Sequence, residues 1–351
     1  MDEYSHLKFQ FTHITISAYA IKDFPLKAFE NFYSKLENKG NCQSILTVTG
    51  ILKQWPTIIP SSVHTLHFEE LGTKIPNSII PSTTLTTIRL SIGDIEIEQL
   101  KNFHQCASLT YLKLPSRFNK HLDPGVLPPT LETLELSQIF QSDLVPGSIP
   151  PSVKVLIFGY YYHGIINCSV LPENIYRLEM PGHWNYPLES NTFPKSLKWL
   201  EFGYEFNRMI KDDILPPSLT RLKLGGRFDQ NLGVNVLPST IRILLFGTGF
   251  NRFLIPGSIP NSVSYLRFVG FNRTFIQGSL PNSIKELNFK YFNKPIDPST
   301  LPTNLEYLTF EKYSYNHKLE GFPNSLKILT IPSTYAFINQ LPPGNYKINT
   351  I

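Results

Sequence analysis

The sequence predicts a repeat solenoid, a stack of about 13 coils of 21–22 residues with a parallel β-sheet along one side and little helix. Two observations lead to this fold class. An aromatic residue returns at a nearly fixed interval, and a proline-led block of alternating apolar residues returns with the same period. A coil of this length is too small to bury its own apolar face, so neighbouring coils must stack to make a core.

The first repeated feature is an aromatic residue, spaced by 22 residues six times and then by 21, 21 and 23. These residues are Phe118, Phe140, Tyr162, Trp184, Phe206, Phe228, Phe250, Phe271, Phe292 and Tyr315. A polar residue follows each of them, most often asparagine, as at Asn251. We expect the rings to stack inside the coils, and the polar side chains to hydrogen-bond to backbone groups of adjacent loops.

The second repeated feature is a block of the form (Leu/Ile)-Pro-x-Ser-Leu-x-x-Leu-x-Phe. Its prolines are Pro60, Pro128, Pro150, Pro172, Pro194, Pro216, Pro238, Pro260, Pro281, Pro302 and Pro323, with irregular versions at Pro81 and around Cys106. Apolar residues fall three, six and eight positions after each proline, as in Leu197, Leu200 and Phe202. The last two of these alternate with an outward residue, which predicts a short strand with one buried face.

The repeat resembles the FNIP repeat, a variant of the leucine-rich repeat. The motif is readable in Phe250–Pro256 (FNRFLIP) and in the Leu-Pro-x-Ser-Leu blocks that follow each Phe-Asn pair, over roughly residues 57 to 342. The resemblance implies a leucine-rich-repeat-like horseshoe with the parallel sheet on its inner face. It also implies a binding role, since the family has no shared chemistry.

The ends of the chain fit the repeat poorly and predict caps. Residues 1–56 are expected to form an N-terminal cap, with a strand over 7–11 and a short helix over 25–36. Residues 57–341 carry the repeats, and residues 342–351 are expected to form the C-terminal cap. A short helix is also compatible with the irregular stretch 97–106.

Cysteine usage and hydropathy favour a cytoplasmic protein. No signal peptide and no apolar run of membrane-spanning length is recognisable in the sequence. Cys42, Cys106 and Cys168 lie on different coils, too far apart for disulfides, which favours a reducing compartment.

The charge pattern argues against nucleic acid as a partner. The net charge is +5 and the isoelectric point is near 8.9. This surplus is small for the length of the chain, and basic and acidic residues interleave along the predicted strands without forming a positive stripe.

No catalytic motif is present, and neither an enzyme nor a cofactor is predicted. His64 and His67 are too few for a metal site and are expected to point to different sides of a strand. Glu179 and Glu201 occupy equivalent positions in neighbouring coils, about 5 Å apart by strand spacing. This separation is also that of a retaining glycosidase pair, but a salt-bridge ladder with nearby arginines and lysines is the preferred interpretation.

The predicted binding surface is the strand face that points away from the core, five and seven positions after each proline. Its chemistry changes from coil to coil, and exposed aromatic residues beside arginines are typical of protein-binding hot spots. The candidate partner-binding residues are Arg177, Glu179, Trp199, Glu201, Arg221, Lys223, Tyr265 and Arg267. The apolar residues Val155, Ile157, Ile243 and Leu245 are expected to be partly exposed on the same face.

The function predicted from the sequence is a non-catalytic scaffold that binds a partner protein through the inner β face. One alternative is a substrate-recognition subunit of a ubiquitin or signalling pathway, because some FNIP proteins carry an F-box; residues 1–56 show none. A less favoured alternative is a binder of nucleic acid or another anionic surface.

Overall fold

The computed structural model describes residues 13–17, 44–49, 63–71, 84–311 and 315–351. They belong to two compact units, residues 1–165 (unit 1) and 166–351 (unit 2). The strand expected over residues 7–11, the helix expected over 25–36, and Cys42 lie outside the described residues. The described parts of the segment 1–56 are two strands.

Both units are built from consecutive parallel strands, each paired with the next along the chain. Those of unit 1 are β1 (His13–Ser17), β2 (Ser44–Thr49), β3 (Val63–Leu71), β4 (Thr87–Gly93), β5 (Tyr111–Lys113), β6 (Thr133–Glu135) and β7 (Val155–Ile157). Those of unit 2 are β8 (Arg177–Glu179), β9 (Trp199–Glu201), β10 (Arg221–Lys223), β11 (Ile243–Phe246), β12 (Tyr265–Phe268), β13 (Glu286–Phe289), β14 (Tyr307–Phe310), β15 (Ile328–Ile331) and β16 (Lys347–Thr350). The predicted parallel solenoid is therefore confirmed within each unit.

Helix is scarce in the described part of the chain, as expected. The single α-helix there, α1 (Ile97–Asn102), continues into a 3₁₀ turn at Phe103–Gln105, and both fall in the irregular stretch where a short helix was compatible with the sequence. Further 3₁₀ turns lie at Pro298–Thr300 and Ile338–Gln340. No helix in these described ranges has the length and apolarity needed to cross a membrane.

The proline-led block folds as a turn followed by a strand. In the coil of Pro194, the backbone N–H of Leu197 donates to the Pro194 carbonyl at 3.2 Å, which closes the turn. Leu200 then lies in the middle of β9, fully buried, between two half-buried neighbours. The central residue is likewise buried in β5, β6, β8 and β10. The predicted assignment of the buried and outward positions of these strands is therefore confirmed.

The aromatic column is a continuous stack of parallel rings within each unit. In unit 2 the ring centroids of Phe206, Phe228 and Phe250 are 6.1 and 6.2 Å apart, with interplanar angles of 5° and 13°. In unit 1, Phe118 and Phe140 stack in the same way at 6.2 Å. Phe228 is fully buried. The column therefore contributes buried apolar contact between adjacent coils.

A ladder of side-chain oxygens runs beside the rings. The backbone N–H of Asn272 donates to Oδ1 of Asn251 at 3.0 Å, and the N–H of Asn251 donates to Oδ1 of Asp229 at 3.0 Å. The same bond joins Asn207 to Asn185, Asp229 to Asn207, Asn293 to Asn272, Asn316 to Asn293, and Gln141 to Asn119. Each of these acceptor side chains thus satisfies a loop N–H of the next coil, as the sequence predicts.

A second ladder was not predicted. In several coils the hydroxyl of the Ser or Thr in the proline block donates to carbonyls of the preceding coil; Ser218, for example, donates to Leu197 O at 2.7 Å and to Lys195 O at 2.6 Å. Thr240 and Ser325 make the equivalent pairs of bonds. In these coils the Ser or Thr of the motif therefore joins consecutive coils by hydrogen bonds. The equivalent hydroxyl of Ser152 is buried without a hydrogen-bond partner among the described residues.

We expect Phe228→Ala to lower the free energy of unfolding by about 3–5 kcal/mol, because it opens a cavity in the middle of the ring column. Phe253→Ala removes a ring that is 58% exposed and serves as the matched control. Chemical denaturation of both variants measures the difference. Equal stability of the two variants would contradict the buried column.

We expect Asn251→Leu to destabilise the protein by about 1–3 kcal/mol, because it leaves the Asn272 N–H without an acceptor. Asn251→Asp should be close to neutral, since it keeps the oxygen and Asp229 already serves this role one coil earlier. Thermal and denaturant unfolding of the two variants tests the ladder. Equal losses in both would show that the acceptor oxygen is not what the position requires.

Candidate functional site

The candidate site is the strand face of unit 2, which we define as the outward side chains of β8 to β12. Parallel pairing in register places the first outward positions side by side, in the order Arg177, Trp199, Arg221, Ile243, Tyr265. The second outward positions follow as Glu179, Glu201, Lys223, Leu245, Arg267. All eight residues predicted from the sequence therefore share this face.

Trp199 stands at the centre of a cation–π sandwich. The Cζ atom of Arg177 lies 3.8 Å from the centre of the indole on one side, and that of Arg221 lies 4.1 Å from it on the other. The indole Nε1 donates to Oε1 of Glu201 at 3.0 Å. The ring is half-buried and is held from both faces and at its nitrogen, so its orientation is fixed before any partner binds.

The two carboxylates on this face are both engaged by neighbouring side chains. Oε1 of Glu179 accepts from Arg177 on the same strand. Oε2 of Glu201 accepts from Lys223 at 2.9 Å, while its Oε1 holds Trp199. This is the salt-bridge arrangement that the sequence favoured for Glu179 and Glu201 over an acid–base pair.

The other end of the face is tied together by hydrogen bonds. Nη2 of Arg267 lies 2.8 and 2.9 Å from the two carboxylate oxygens of Glu311. Asn288, which is buried, donates to the Tyr265 hydroxyl at 2.9 Å and to Oε1 of Glu286 at 3.0 Å. Tyr265 and Arg267 are thus on the predicted face, but the charge of Arg267 is neutralised within the chain.

Sequence reasoning missed the role of Glu311. It lies two positions beyond the outward residue Thr309, where earlier coils carry Pro181, Gly203 or Gly225. A Cβ at Gly203 would collide with the Pro181 carbonyl, and one at Gly225 with the Gly203 carbonyl, so these two coils have no room for a side chain there. The change from glycine at this position to Val269, Lys290 and Glu311 in later coils was the available signal.

Unit 1 presents a smaller cluster on its own strand face. Arg89 lies 5.1 Å above the ring of Tyr111, whose hydroxyl donates to Glu135, and Lys113 approaches the other oxygen of Glu135 at 3.3 Å. Burial, and then the bond to Glu135, raise the pKa of the Tyr111 hydroxyl well above its usual value, so it remains a donor at neutral pH.

Val155 departs from the sequence-based expectation. It was expected to be partly exposed on the strand face, but it is buried within unit 1, whereas Ile157, Ile243 and Leu245 are half-buried as expected. Its backbone is joined to the preceding coil, because the Val155 N–H donates to the Glu132 carbonyl at 3.0 Å.

No group of three or more His, Cys, Asp or Glu side chains suited to a metal ion occurs among the described residues. His67, one of the two histidines considered for metal binding, lies with Nε2 2.9 Å from the Ser91 hydroxyl. The His67 ring therefore makes a hydrogen bond to a residue of the neighbouring coil.

Comparison with known proteins agrees with the geometry. The FNIP repeat matches residues 101–138, 140–183, 184–227, 228–270 and 271–313. The crystal structure of CroV588, described as a novel circular LRR protein, is similar with a TM-score of 0.79 and 27% identity. The similarity covers 97% of this chain and 54% of that one, so the chain spans about half the length of CroV588. No curated protein matches the chain.

The fold and its ladders define a repeat solenoid of the leucine-rich-repeat type. Within that class, the chain belongs to the FNIP repeat family, whose repeat accounts for more than half of its length.

We expect Leu200→Ala to cost about 2–5 kcal/mol of stability and Trp199→Ala much less, although tryptophan is the larger side chain. The two residues are adjacent on β9, but Leu200 is fully buried and Trp199 lies on the outward face. Denaturant unfolding of both variants measures the order. A larger loss for Trp199→Ala would place the indole in the core and contradict the assignment of the strand face.

Proposed function

We propose that this chain is a non-catalytic protein-interaction scaffold that binds a partner protein through the strand face of unit 2. The proposal rests on a difference between the core positions and the outward strand positions of the repeat. The core columns hold the same residue types in coil after coil, whereas the strand face changes its chemistry at every step and gathers Trp199, Tyr265 and arginines.

The repeats act as an internal control for what the fold requires. The first outward position is Thr133 in one coil, Ile243 in another and Ile328 in a third, each at the start of the equivalent short strand. The backbone therefore does not require tryptophan at position 199. Since β-branched residues fill the equivalent position in those coils, the needs of the fold do not explain why an indole lies between two guanidinium groups at position 199.

The composition and rigidity of this face suit protein recognition. Tryptophan, tyrosine and arginine are the residues most enriched in interface hot spots. Because Trp199 is already clamped by Arg177, Arg221 and Glu201, little side-chain entropy is lost when a partner covers it. The interleaved charges around it would select a partner with a complementary pattern.

The pairing of the carboxylates supports a binding role over a catalytic one. A general acid or a nucleophile needs a carboxylate that is free to meet the substrate, but Glu179 and Glu201 are bound to cations and to the indole. The free, exposed thiol of Cys168 supports the further proposal that the scaffold works in the reducing cytoplasm.

We expect Trp199→Ala to weaken capture of the partner by about 2 kcal/mol or more, in line with loss of a hot-spot aromatic. Affinity purification with quantitative mass spectrometry, on wild type and Trp199→Ala in parallel, identifies proteins that depend on the indole. Titration of the purified partner against both proteins then gives the difference in affinity.

Phe253→Ala is the control, because it removes an aromatic ring that is even more exposed than Trp199, from a loop, and leaves the strand face intact. Its captured proteins should match those of wild type. If Trp199→Ala and Phe253→Ala both retain every captured protein, the strand face of unit 2 is not the binding surface.

A further inference from the structure

Arg221 differs from the other two arginines of the strand face. Arg177 is paired with Glu179, and Arg267 is paired with Glu311. Arg221 makes no ion pair within 4.0 Å among the residues that the structure describes, although it is half-buried and lies against Trp199. One guanidinium of the three is therefore left without a carboxylate.

The carboxylates near Arg221 are already committed. Both oxygens of Glu201 are used, one by the Trp199 indole and the other by Lys223. Glu179 lies one coil farther away and accepts from Arg177. The cluster consists of three cations and two carboxylates, and so carries one net positive charge. Its members are Arg177, Arg221, Lys223, Glu179 and Glu201. Arg221 is the cation that has no carboxylate partner among the described residues.

The guanidinium is also held in place. Its Cζ atom lies over the indole, 4.1 Å from the ring centre, and its Nε is buried without an acceptor, so the terminal Nη groups are the donors left for a ligand. A stacked arginine is less hydrated and less free to rotate than one in solvent, which favours a hydrogen-bonded carboxylate as its partner.

The next coil beside Arg221 is apolar. Ile243 pairs with Arg221 in the sheet and Leu245 pairs with Lys223, and both are half-buried. A positive group therefore borders two apolar residues, and Ile243 in turn pairs with Tyr265 on the following strand.

We propose that Arg221 receives the carboxylate of an aspartate or glutamate of the partner, while an apolar residue one or two positions away covers Ile243 and Leu245. This inference rests on the proposed function and names the chemistry of the partner at that same face. A single uncompensated charge suits one carboxylate, whereas a nucleic acid requires several cations in a row.

The test is a selection of random peptides on phage against the full chain, with Trp199→Ala as the counter-target. Peptides that need the strand face should be enriched in Asp or Glu close to Leu, Ile, Val or Phe. A selected peptide and its Asp→Asn or Glu→Gln analogue are then titrated against wild type by isothermal titration calorimetry.

We expect the amide analogue to bind wild type about tenfold or more weakly, as for loss of a charge-assisted hydrogen bond. Arg221→Gln should bind the acidic peptide as weakly as wild type binds the analogue, and should not distinguish the two peptides. Arg221→Lys should show an intermediate loss, because it keeps the charge without the planar fork.

Arg252→Gln is the matched control for net charge, since Arg252 lies in a return loop and pairs with Asp229 at 3.0 Å. It should bind the acidic peptide like wild type. Because the amide analogue alters the peptide alone, its result does not depend on whether any variant folds.

Two failures are distinguishable. Strand-face peptides that lack acidic residues, or an amide analogue that binds equally well, would overturn the role of Arg221 and leave the proposed function standing. Peptides that bind wild type and Trp199→Ala alike would overturn the proposed function, and the carboxylate inference would fall with it.

Discussion

The structure depends on the regular stacking of one coil on the next. Three sets of contacts impose this stacking together: the parallel strand pairing, the ring column and the ladder of side-chain oxygens. Strands in a sheet are about 4.8 Å apart, whereas the rings of Phe206 and Phe228 are 6.1 Å apart. Adjacent coils therefore diverge from the sheet toward the loops, and a large planar residue fills the wider side.

This stacking also explains why the repeat is so strict in some columns. A ladder bond such as that from Asn272 N–H to Asn251 fails if either coil changes its path, because donor and acceptor lie on different coils. Ser218 fastens the turn of its coil to two carbonyls of the preceding one in the same way. Substitution in these columns is felt by two coils at once, so little chemical variety is tolerated there.

The outward strand positions are exempt from this constraint, and chemical variety is found there. Arg177, Trp199 and Arg221 are each supported by a buried leucine on the same short strand, so their side chains are free to interact with one another. The result is a rigid patch whose charges are almost fully paired within the chain. For the proposed binding role, such a surface favours selective recognition over nonspecific association, because only a complementary partner compensates for the loss of water.

Much of this site was predictable because the period converts sequence distance into spatial distance. A residue 22 positions away lies on the neighbouring strand, so the proximity of Arg177, Trp199 and Arg221 followed from spacing alone. The acceptor role of Asn251 and the burial of Phe228 were predictable for the same reason.

The pairing of side chains beyond the adjacent coil was not predictable. Arg267 reaches Glu311, 44 residues later, over the buried Asn288 that lies between them. Val155 is buried although its column is otherwise half-exposed. These outcomes depend on side-chain direction and on local room, neither of which the period encodes.

The sequence by itself determined the coil, its strand and its core columns, because hydrophobic periodicity and ladder chemistry repeat along the chain. Only the tertiary structure decided which charges are satisfied. It showed that Glu201 is shared between Trp199 and Lys223 and that Arg221 has no carboxylate among the described residues. The physical reason is that an ion pair depends on side-chain rotamers and on which of several charged neighbours at similar distances is engaged. The spacing of residues in the sequence shows which residues are neighbours, but not which of them form the pair.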